Sequence, residues 1–154
     1  MGKKSILSRP FGQLGGPGLF LQAQNTALHL AKNGSDVILT YRSQVAEAQA
    51  VVEEIAALGR HAVALQLDTA DSASFANFAA QVKAALASTW QRERFDHLVN
   101  NAGVTSAGSF TKESLDDLRW IVGINLWGVV HGCHAFLPVL LEQDEAHIVN
   151  VSSM

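Results

Sequence analysis

The chain has 154 residues, of which 48% are hydrophobic and 16% charged, and its formal net charge is −3. This length suits one globular domain, and the composition excludes an intrinsically disordered protein. The slightly acidic balance lacks the basic patch that nucleic acid or anionic lipid requires, so neither is expected as a partner. A single cysteine, Cys133, excludes an internal disulfide and favours a reducing, cytoplasmic location.

Strand-like and helix-like segments alternate along the whole chain. The predicted strands are 4–7, 36–41, 61–67, 95–100 and 146–151. The predicted helices are a segment through 25–34, a second helix that ends at Gly59, and the ranges 72–89 and 112–142. The second helix is capped by Ser43 and carries one apolar stripe, which consists of Val51, Val52, Ile55 and Leu58. Near-continuous apolar strands that alternate with helices predict a parallel sheet covered on both faces. We therefore predict one α/β domain over residues 1–154, a doubly wound parallel sheet of about five strands.

One segment imitates a membrane-spanning helix. Residues 121–141 contain no Asp, Glu, Lys or Arg, and Gly128 and Gly132 form a G-x-x-x-G pattern. Asn125 and Pro138 interrupt the segment, and an amphipathic stretch runs into it without a break. We therefore predict a buried core helix and no membrane partner, with membrane anchoring as the alternative.

Polar and glycine-rich features follow every predicted strand. They are the glycine loop after the first strand, Arg42 after the second, Asp68 after the third, Asn100 and Asn101 after the fourth, and Ser152 and Ser153 after the fifth. Ligands of doubly wound sheets bind beyond the carboxyl ends of the strands. Five such features on one edge predict one shared ligand site.

The glycine loop contains Gly12, Gly16 and Gly18 in a G-x-x-x-G-x-G spacing. Glycines in this position let a pyrophosphate approach backbone N–H groups at a helix N-terminus. The other dinucleotide pattern, G-x-G-x-x-G, fails because Leu21 stands where its last glycine should be. A loop without a ligand explains the same composition.

The end of the second strand indicates which dinucleotide fits. A carboxylate there suits the ribose 2′-hydroxyl of NAD, whereas an arginine suits the 2′-phosphate of NADP. This chain has Arg42 and no acid at the tip, since Asp36 lies at the opposite end of the strand. A charge-assisted bond from Arg42 would favour NADP by about 10- to 100-fold. The alternative is an ordinary solvated arginine.

Two amide-bearing segments are candidates for the same site. The sequence "LVNNAG" (98–103) ends a strand in residues that turn sharply, which an ordinary turn also explains. Asn125 shares a helical face with Leu118, Val122 and Val129. We predict a buried amide that binds a water, a backbone group or a polar neighbour, or that bends the helix. His131, Cys133 and His134 lack metal-ligand spacing, so no metal is expected.

Taken in order, "LVNNAG" (98–103), "INLWGVV" (124–130) and "IVNVSS" (148–153) resemble the short-chain dehydrogenase/reductase family over about residues 25–154. The resemblance implies a Rossmann-like fold and hydride transfer between NADP(H), or less readily NAD(H), and a small-molecule carbonyl or secondary alcohol. It implies that Asp68 meets the adenine and that Asn100, Ala102 and Gly103 line the cofactor. It also implies that Asn125 and Ser153 belong to the catalytic set, with Ser153 orienting the substrate carbonyl.

The family's proton-donating Tyr-x-x-x-Lys is absent from the 154 residues. The one tyrosine is Tyr41, and Val45 stands four residues later. We therefore expect a C-terminally truncated domain with little turnover and with its fifth strand as an exposed edge. A homo-oligomer is expected of a full-length relative but not of this chain. The alternatives are a non-catalytic nucleotide-binding or interaction module, or a gene fragment.

The second departure lies near the N-terminus. Phe11 occupies the position of the family's threonine, and Pro17 stands where an apolar residue is usual. The segment 8–24 is also longer than the family pattern by about one helical turn. The hypothesis for this segment, which contains the predicted phosphate loop, is a local frameshift or an assembly error.

Overall fold

The computed structural model describes residues 3–8, 17–106 and 108–152. The strands of the described chain are β1 (Lys4–Ser8), β2 (Asp36–Tyr41), β3 (Ala62–Gln66), β4 (His97–Asn100) and β5 (His147–Asn150). Its α-helices are α1 (Pro17–Lys32), α2 (Val45–Ala57), α3 (Ser74–Trp90), α4 (Leu115–Val122) and α5 (Gly128–Leu141). A 3₁₀ turn (Phe110–Lys112) precedes α4, and a π-helical segment (Gly123–Trp127) joins α4 to α5.

The five strands form one parallel sheet in the order β3-β2-β1-β4-β5. The chain moves outward from β1 to β3 and then returns to the other side of β1 with β4. The order thus reverses beside β1, and such a reversal opens a crevice at the carboxyl ends of the strands. The predicted doubly wound α/β fold is confirmed.

Alternation along the strands divides the core between the two faces of the sheet. Ile6, Ile38 and Leu98 pack with side chains of α3 and α5, among them Phe78 and Phe136. On the opposite face, a second cluster joins the sheet to α1 and α2; it contains Val37, Leu39, Val99, Ala27, Val51 and Ile55. Helices on both faces explain why the strands are apolar without a polar side.

The ends of α2 differ in part from the prediction. Gly59 has the positive φ of +74° expected of a residue that stops a helix, as does Gly34 after α1 at +87°. The residue that caps α2 is Gln44, without a side-chain hydrogen bond, so the predicted Ser43 cap is wrong. The carbonyl of Ser43 accepts a hydrogen bond from the Val45 N–H, and this tight turn delays the start of the helix. Leu58 is 42% exposed and does not belong to the buried stripe.

The helical segment Leu115–Leu141 is long and apolar enough to cross a membrane, although a core helix of a soluble protein passes the same test. Its most apolar window is 28% buried, so the predicted core helix is buried along one side only. The buried side of α5 consists of Gly128, Gly132, Phe136 and Leu140, and α5 packs on α3 and β4. An apolar face is thus left exposed on the other side.

Strand β5 is the edge of the described sheet beside β4, and all four of its residues are exposed. The exposed fractions of Ile148 and Val149 are 37% and 47%. This agrees with the expectation of an exposed fifth strand.

Candidate nucleotide-binding site

Arg42 and Asp68 meet at the carboxyl ends of β2 and β3. The Arg42 Nε donates a hydrogen bond to Asp68 Oδ2 over 3.1 Å. The other carboxylate oxygen, Oδ1, accepts from the Ala70 backbone N–H over 3.0 Å. The Gln66 side chain donates to the Arg42 carbonyl over 2.9 Å, which fixes the backbone at the strand tip. Two residues that sequence position alone singled out therefore form one ion pair.

A cavity of about 430 Å³ opens beside this ion pair. Apart from Arg42 and Asp68, its lining is uncharged: Ser43, Gln66, Leu67, Ser74, Asn77 and Gln81. Hydroxyl and amide groups around one cation suit a ligand with a purine, a ribose and a phosphate. The residues present therefore fit the adenosine half of a dinucleotide. A second cavity, of about 490 Å³, lies between α3 and α5 around Phe95 and Phe136, and none of its lining residues belongs to this site.

Asn100 joins three elements at the end of β4. Its side chain is 3% exposed, and its Nδ2 donates to Asn150 Oδ1 over 2.9 Å and to Cys133 Sγ over 3.5 Å. Its carbonyl accepts a hydrogen bond from the Val151 N–H. In this structure Asn100 therefore ties β4 to β5 and α5, and its contact with a cofactor stays a prediction.

Asn125 binds the loop that follows β4. Its Nδ2 donates to the Val104 carbonyl, and its Oδ1 accepts from the Val104 N–H, both over 2.8 Å. The backbone group expected as its partner is thereby identified. Asn125 is, however, exposed rather than buried. A π-helical turn adds a residue to the helical repeat, so Asn125 does not keep the 3.6-residue spacing from Val122 that the prediction assumed.

The small residues of the same loop lie beside this amide. Ala102 and Val104 are buried, and they form a cluster with Ile124. A Cβ placed on Gly103 would lie 3.7 Å from Asn125 Oδ1, which is ordinary van der Waals contact. Ala102, Gly103 and Asn125 are thus brought together, on the opposite side of β1 from Arg42 and Asp68.

Several predicted site residues cannot be placed. Gly12, Gly16 and Ser153 lie outside the described residues, as does the whole segment 9–16 between β1 and α1. Gly18 lies in the first turn of α1, so it belongs to the helix and not to the loop before it. Ser152, just before Ser153, is exposed at the end of β5.

Sequence reasoning missed Gln66 and Asn150. Gln66 is the polar last residue of an otherwise apolar strand, and Asn150 ends β5 as Asn100 ends β4. A polar residue in the last position of a strand was the available signal for both. Their hydrogen bonds depend on strand register, which sequence alone does not give.

His131 of α5 packs against aromatic rings, whereas His134 of the same helix is exposed. His131 contacts Phe75 and Trp127, with ring centroids 5.4 and 5.9 Å apart. Within the described part of the chain, no group of three or more His, Cys, Asp and Glu residues is close enough to hold a metal ion.

Comparison with known proteins identifies relatives of this chain. The family model "short chain dehydrogenase" matches residues 23–154. "Probable oxidoreductase EphD" of Mycobacterium tuberculosis is 36% identical over 132 residues, which are 85% of this chain and 21% of that protein. The chain therefore spans only part of such relatives.

Two similar solved structures carry different nucleotides. The structure of a short chain dehydrogenase from Burkholderia cenocepacia in complex with NADP is 33% identical with a TM-score of 0.78, over 99% of this chain and 56% of that one. A short chain dehydrogenase/reductase from Burkholderia phymatum in complex with NAD is 28% identical with a TM-score of 0.77, over 99% and 49%. Similarity thus supports a nicotinamide dinucleotide without choosing between the two. With the family model matched over most of the sequence and the sheet superposing on these structures, the chain belongs to the short-chain dehydrogenase/reductase family of oxidoreductases.

Proposed function

We propose that this chain is the cofactor-binding part of an oxidoreductase that transfers hydride between NADP(H) and a small-molecule carbonyl or secondary alcohol. One observation carries the choice of NADP. Arg42 lies at the carboxyl end of β2, in a cavity where Asp68 is the only other charged residue among the described lining residues. No acid occupies the tip of β2 itself. Dinucleotide sites that bind NAD usually have an acid there.

The residues of the chain divide between the two ends of the cofactor. Arg42 binds the 2′-phosphate, and Asp68 meets the adenine. Ala102 and Gly103, after β4, line the path toward the nicotinamide. Gly12, Gly16 and Gly18 receive the pyrophosphate at the start of α1, and Asn100 supports the same edge by holding β5 against β4. When bound, NADPH supplies the hydride.

The substrate end is formed by the loops after β4 and β5. Asn125 holds the Val104 backbone through two hydrogen bonds and so fixes the wall of the crevice. Ser153 follows β5 by three residues in the sequence, and we assign to its hydroxyl the orientation of the substrate carbonyl. No Tyr-x-x-x-Lys occurs within the 154 residues, so no residue of this sequence is assigned to proton transfer to the alkoxide. We therefore expect the 154-residue chain to bind nucleotide with little or no turnover.

Calorimetry and a spectrophotometric assay test this proposal together. We expect NADP⁺ and NADPH to bind the 154-residue chain, and Arg42→Gln to weaken NADP⁺ binding by about 10- to 100-fold while NAD⁺ binding changes little. No oxidation of NADPH is expected with a panel of ketones and aldehydes. Robust ketone-dependent oxidation would overturn the expectation of inactivity, and equal effects of the substitution on both nucleotides would overturn the role of Arg42.

A non-catalytic nucleotide-binding module is the second candidate. The cavity beside Arg42 and Asp68 could bind a nucleotide without any residue assigned to proton transfer, which suits such a module. The coding sequence downstream of codon 154 separates the two. A Tyr-x-x-x-Lys there supports the oxidoreductase, whereas its absence, combined with measurable nucleotide binding, supports the module. Absence of both the motif and binding would support a gene fragment.

A further inference from the structure

We propose that Asp68 determines cofactor specificity by competing with a 2′-phosphate for the Arg42 guanidinium, which weakens the preference for NADP over NAD. This inference rests on the proposed nucleotide site and gives Asp68 a second role besides its contact with adenine. The preference for NADP over NAD is then set by the Arg42–Asp68 pair and not by Arg42 alone.

The first reason is that Asp68 stays in place independently of Arg42. Its Oδ1 accepts from the Ala70 N–H, and its backbone carbonyl accepts from the Ser74 hydroxyl over 2.9 Å. The carboxylate is therefore anchored by its own loop. When a phosphate arrives, the guanidinium must be shared between two anions, because the carboxylate does not swing away with it.

The second reason is the charge balance of the cavity. Among the lining residues of the described chain, Arg42 is the only cation and Asp68 the only carboxylate, and they are 3.1 Å apart. The pair is neutral before any ligand binds. A phosphate monoester carries a charge of about −1.5 to −2 at neutral pH, so it meets a cation that is already compensated. NAD, which has a hydroxyl in that position, meets no such competition.

The third reason is the limited freedom of Arg42. The Gln66 side chain holds the Arg42 carbonyl, so the backbone at the tip of β2 is tied to β3. The guanidinium can reach a phosphate with its remaining N–H groups, since arginine has five donors in all. It cannot leave Asp68 by a shift of the strand end without breaking that bond.

The test compares two probes that differ only in the 2′-phosphate. Adenosine 2′,5′-bisphosphate and 5′-AMP share the adenine, so the ratio of their Kd values cancels the contact of Asp68 with the base. We expect Asp68→Asn to raise the preference for the bisphosphate by about 2- to 5-fold, the effect of one partly exposed charge pair. Isothermal titration calorimetry at constant ionic strength measures both constants.

A matched control and a double variant isolate the mechanism. Asp71→Asn removes the same charge from the same loop, but Asp71 does not line the cavity, and the ratio should not change. In the Arg42→Gln background, Asp68→Asn should have no effect, since the guanidinium for which they compete is gone. An unchanged or lower ratio in Asp68→Asn, or an increase that persists without Arg42, overturns the inference.

Failure of the inference and failure of the proposed function are distinguishable. If neither probe binds the unsubstituted chain, the nucleotide site and the inference fall together. If the unsubstituted chain binds both probes equally and Asp68→Asn creates a preference for the bisphosphate, the inference stands while the native preference for NADP does not.

Discussion

The Asn125 amide uses both of its polar atoms on one backbone unit. Its donor and its acceptor both bind Val104, in the same way that two neighbouring strands exchange hydrogen bonds. The pair joins the π-helical segment to the loop after β4 and adds two hydrogen bonds to the packing of Ala102 and Val104 against Ile124. An aspartate has the same shape but, when ionised, cannot donate.

Asn125→Asp is therefore expected to lower the free energy of unfolding by about 1 to 2 kcal/mol, because the Val104 carbonyl loses its donor and faces a carboxylate instead. Urea denaturation followed by circular dichroism measures the change. Asn25→Asp, an exposed position on α1, makes the same chemical change and should have a much smaller effect. Equal losses in the two variants would show that the Val104 contacts contribute nothing specific.

Residue positions at strand ends were enough to predict that Arg42 and Asp68 lie on one edge of the sheet, because the tips of parallel strands share an edge. Their ion pair was not predicted. The partner of Asn100 could not be predicted in the same way. Its bond to Asn150 requires the observed register of β4 and β5, and its proximity to Cys133 requires the rotation of α5. Both are tertiary features that no local sequence pattern around Asn100 records.

Helix α5 approaches β4 closely at Gly132. A Cβ on Gly132 would lie 2.8 Å from Asn100 Oδ1, closer than real contacts allow. The Asn100 side chain cannot yield easily, since its amide is bound to Asn150 and Cys133. A Cβ placed on Gly123, at the start of the π-helical segment, would have nothing within 4 Å. Substitution by alanine is therefore expected to destabilise the chain at Gly132 but not at Gly123.

We expect Gly132→Ala to destabilise the chain by about 1 to 3 kcal/mol, the usual cost of forcing extra volume into a packed site. Gly123→Ala should leave stability unchanged or raise it by up to about 1 kcal/mol through helix propensity. Thermal and urea unfolding of both variants check this. Two variants of equal stability would refute the close approach of α5 to β4.

The amino ends of β1, β4 and β5 gather titratable groups on the edge of the sheet opposite the nucleotide site. His97 Nδ1 lies 3.2 Å from the Ser5 hydroxyl, and its ring centroid is 5.4 Å from that of His147. Burial, the Lys3 ammonium and His147 lower the pKa of His97. The carboxylates of Asp96 and Glu145 act in the opposite direction but do not outweigh them.

The folded chain should therefore lose stability in mild acid. Because the pKa of His97 is lower in the folded than in the unfolded state, the unfolded state takes up the proton first as the pH falls. The contribution is complete above the unfolded value of 6.5 and declines as the pH falls below it toward the folded pKa. Urea midpoints between pH 7.5 and 5.5 should decrease less steeply in His97→Asn than in the unsubstituted chain. His29→Asn, at an exposed position on α1, should leave the slope unchanged, and identical slopes in all three would contradict the role of His97.

At the scale of the whole molecule, uncovered apolar surface is concentrated on two features. One is the outer face of the segment Leu115–Leu141, where Leu126 and Trp127 are 56% and 52% exposed. The other is β5, an edge strand whose unpaired backbone groups can accept a strand from another molecule. Both predict that the 154-residue chain associates with itself when concentrated.

Val149→Lys is expected to slow this association, because a charged side chain on an edge strand opposes pairing with a second strand. Static light scattering against concentration measures it. Leu58→Lys adds the same charge at an exposed apolar position after α2 and should slow association less. If both substitutions act equally, net charge rather than the β5 edge governs the behaviour.

The fold class could be predicted because each strand and helix has its own local pattern, and right-handed crossovers leave few ways to arrange them. The exposure of the helical segment Leu115–Leu141 could not be predicted. Its apolar sequence is compatible with a helix that is buried on one face and with a helix that is buried on all sides. The π-helical segment was also beyond prediction. It contains Asn125, whose hydrogen bonds reach Val104, 21 residues earlier in the chain, and no local pattern records such a contact.

The position of β1 at the centre of the sheet has a consequence for synthesis. Strand β2, one neighbour of β1, follows soon after it in the sequence. The other neighbour, β4, comes much later, since the paired residues Ser5 and His97 are 92 positions apart. At about 5 to 20 residues per second, the ribosome delivers β4 some 5 to 20 s after β1. During that interval β1 is an edge strand, although it is the central strand of the folded sheet. A nascent chain that stalls before residue 97 exposes this edge to chaperones.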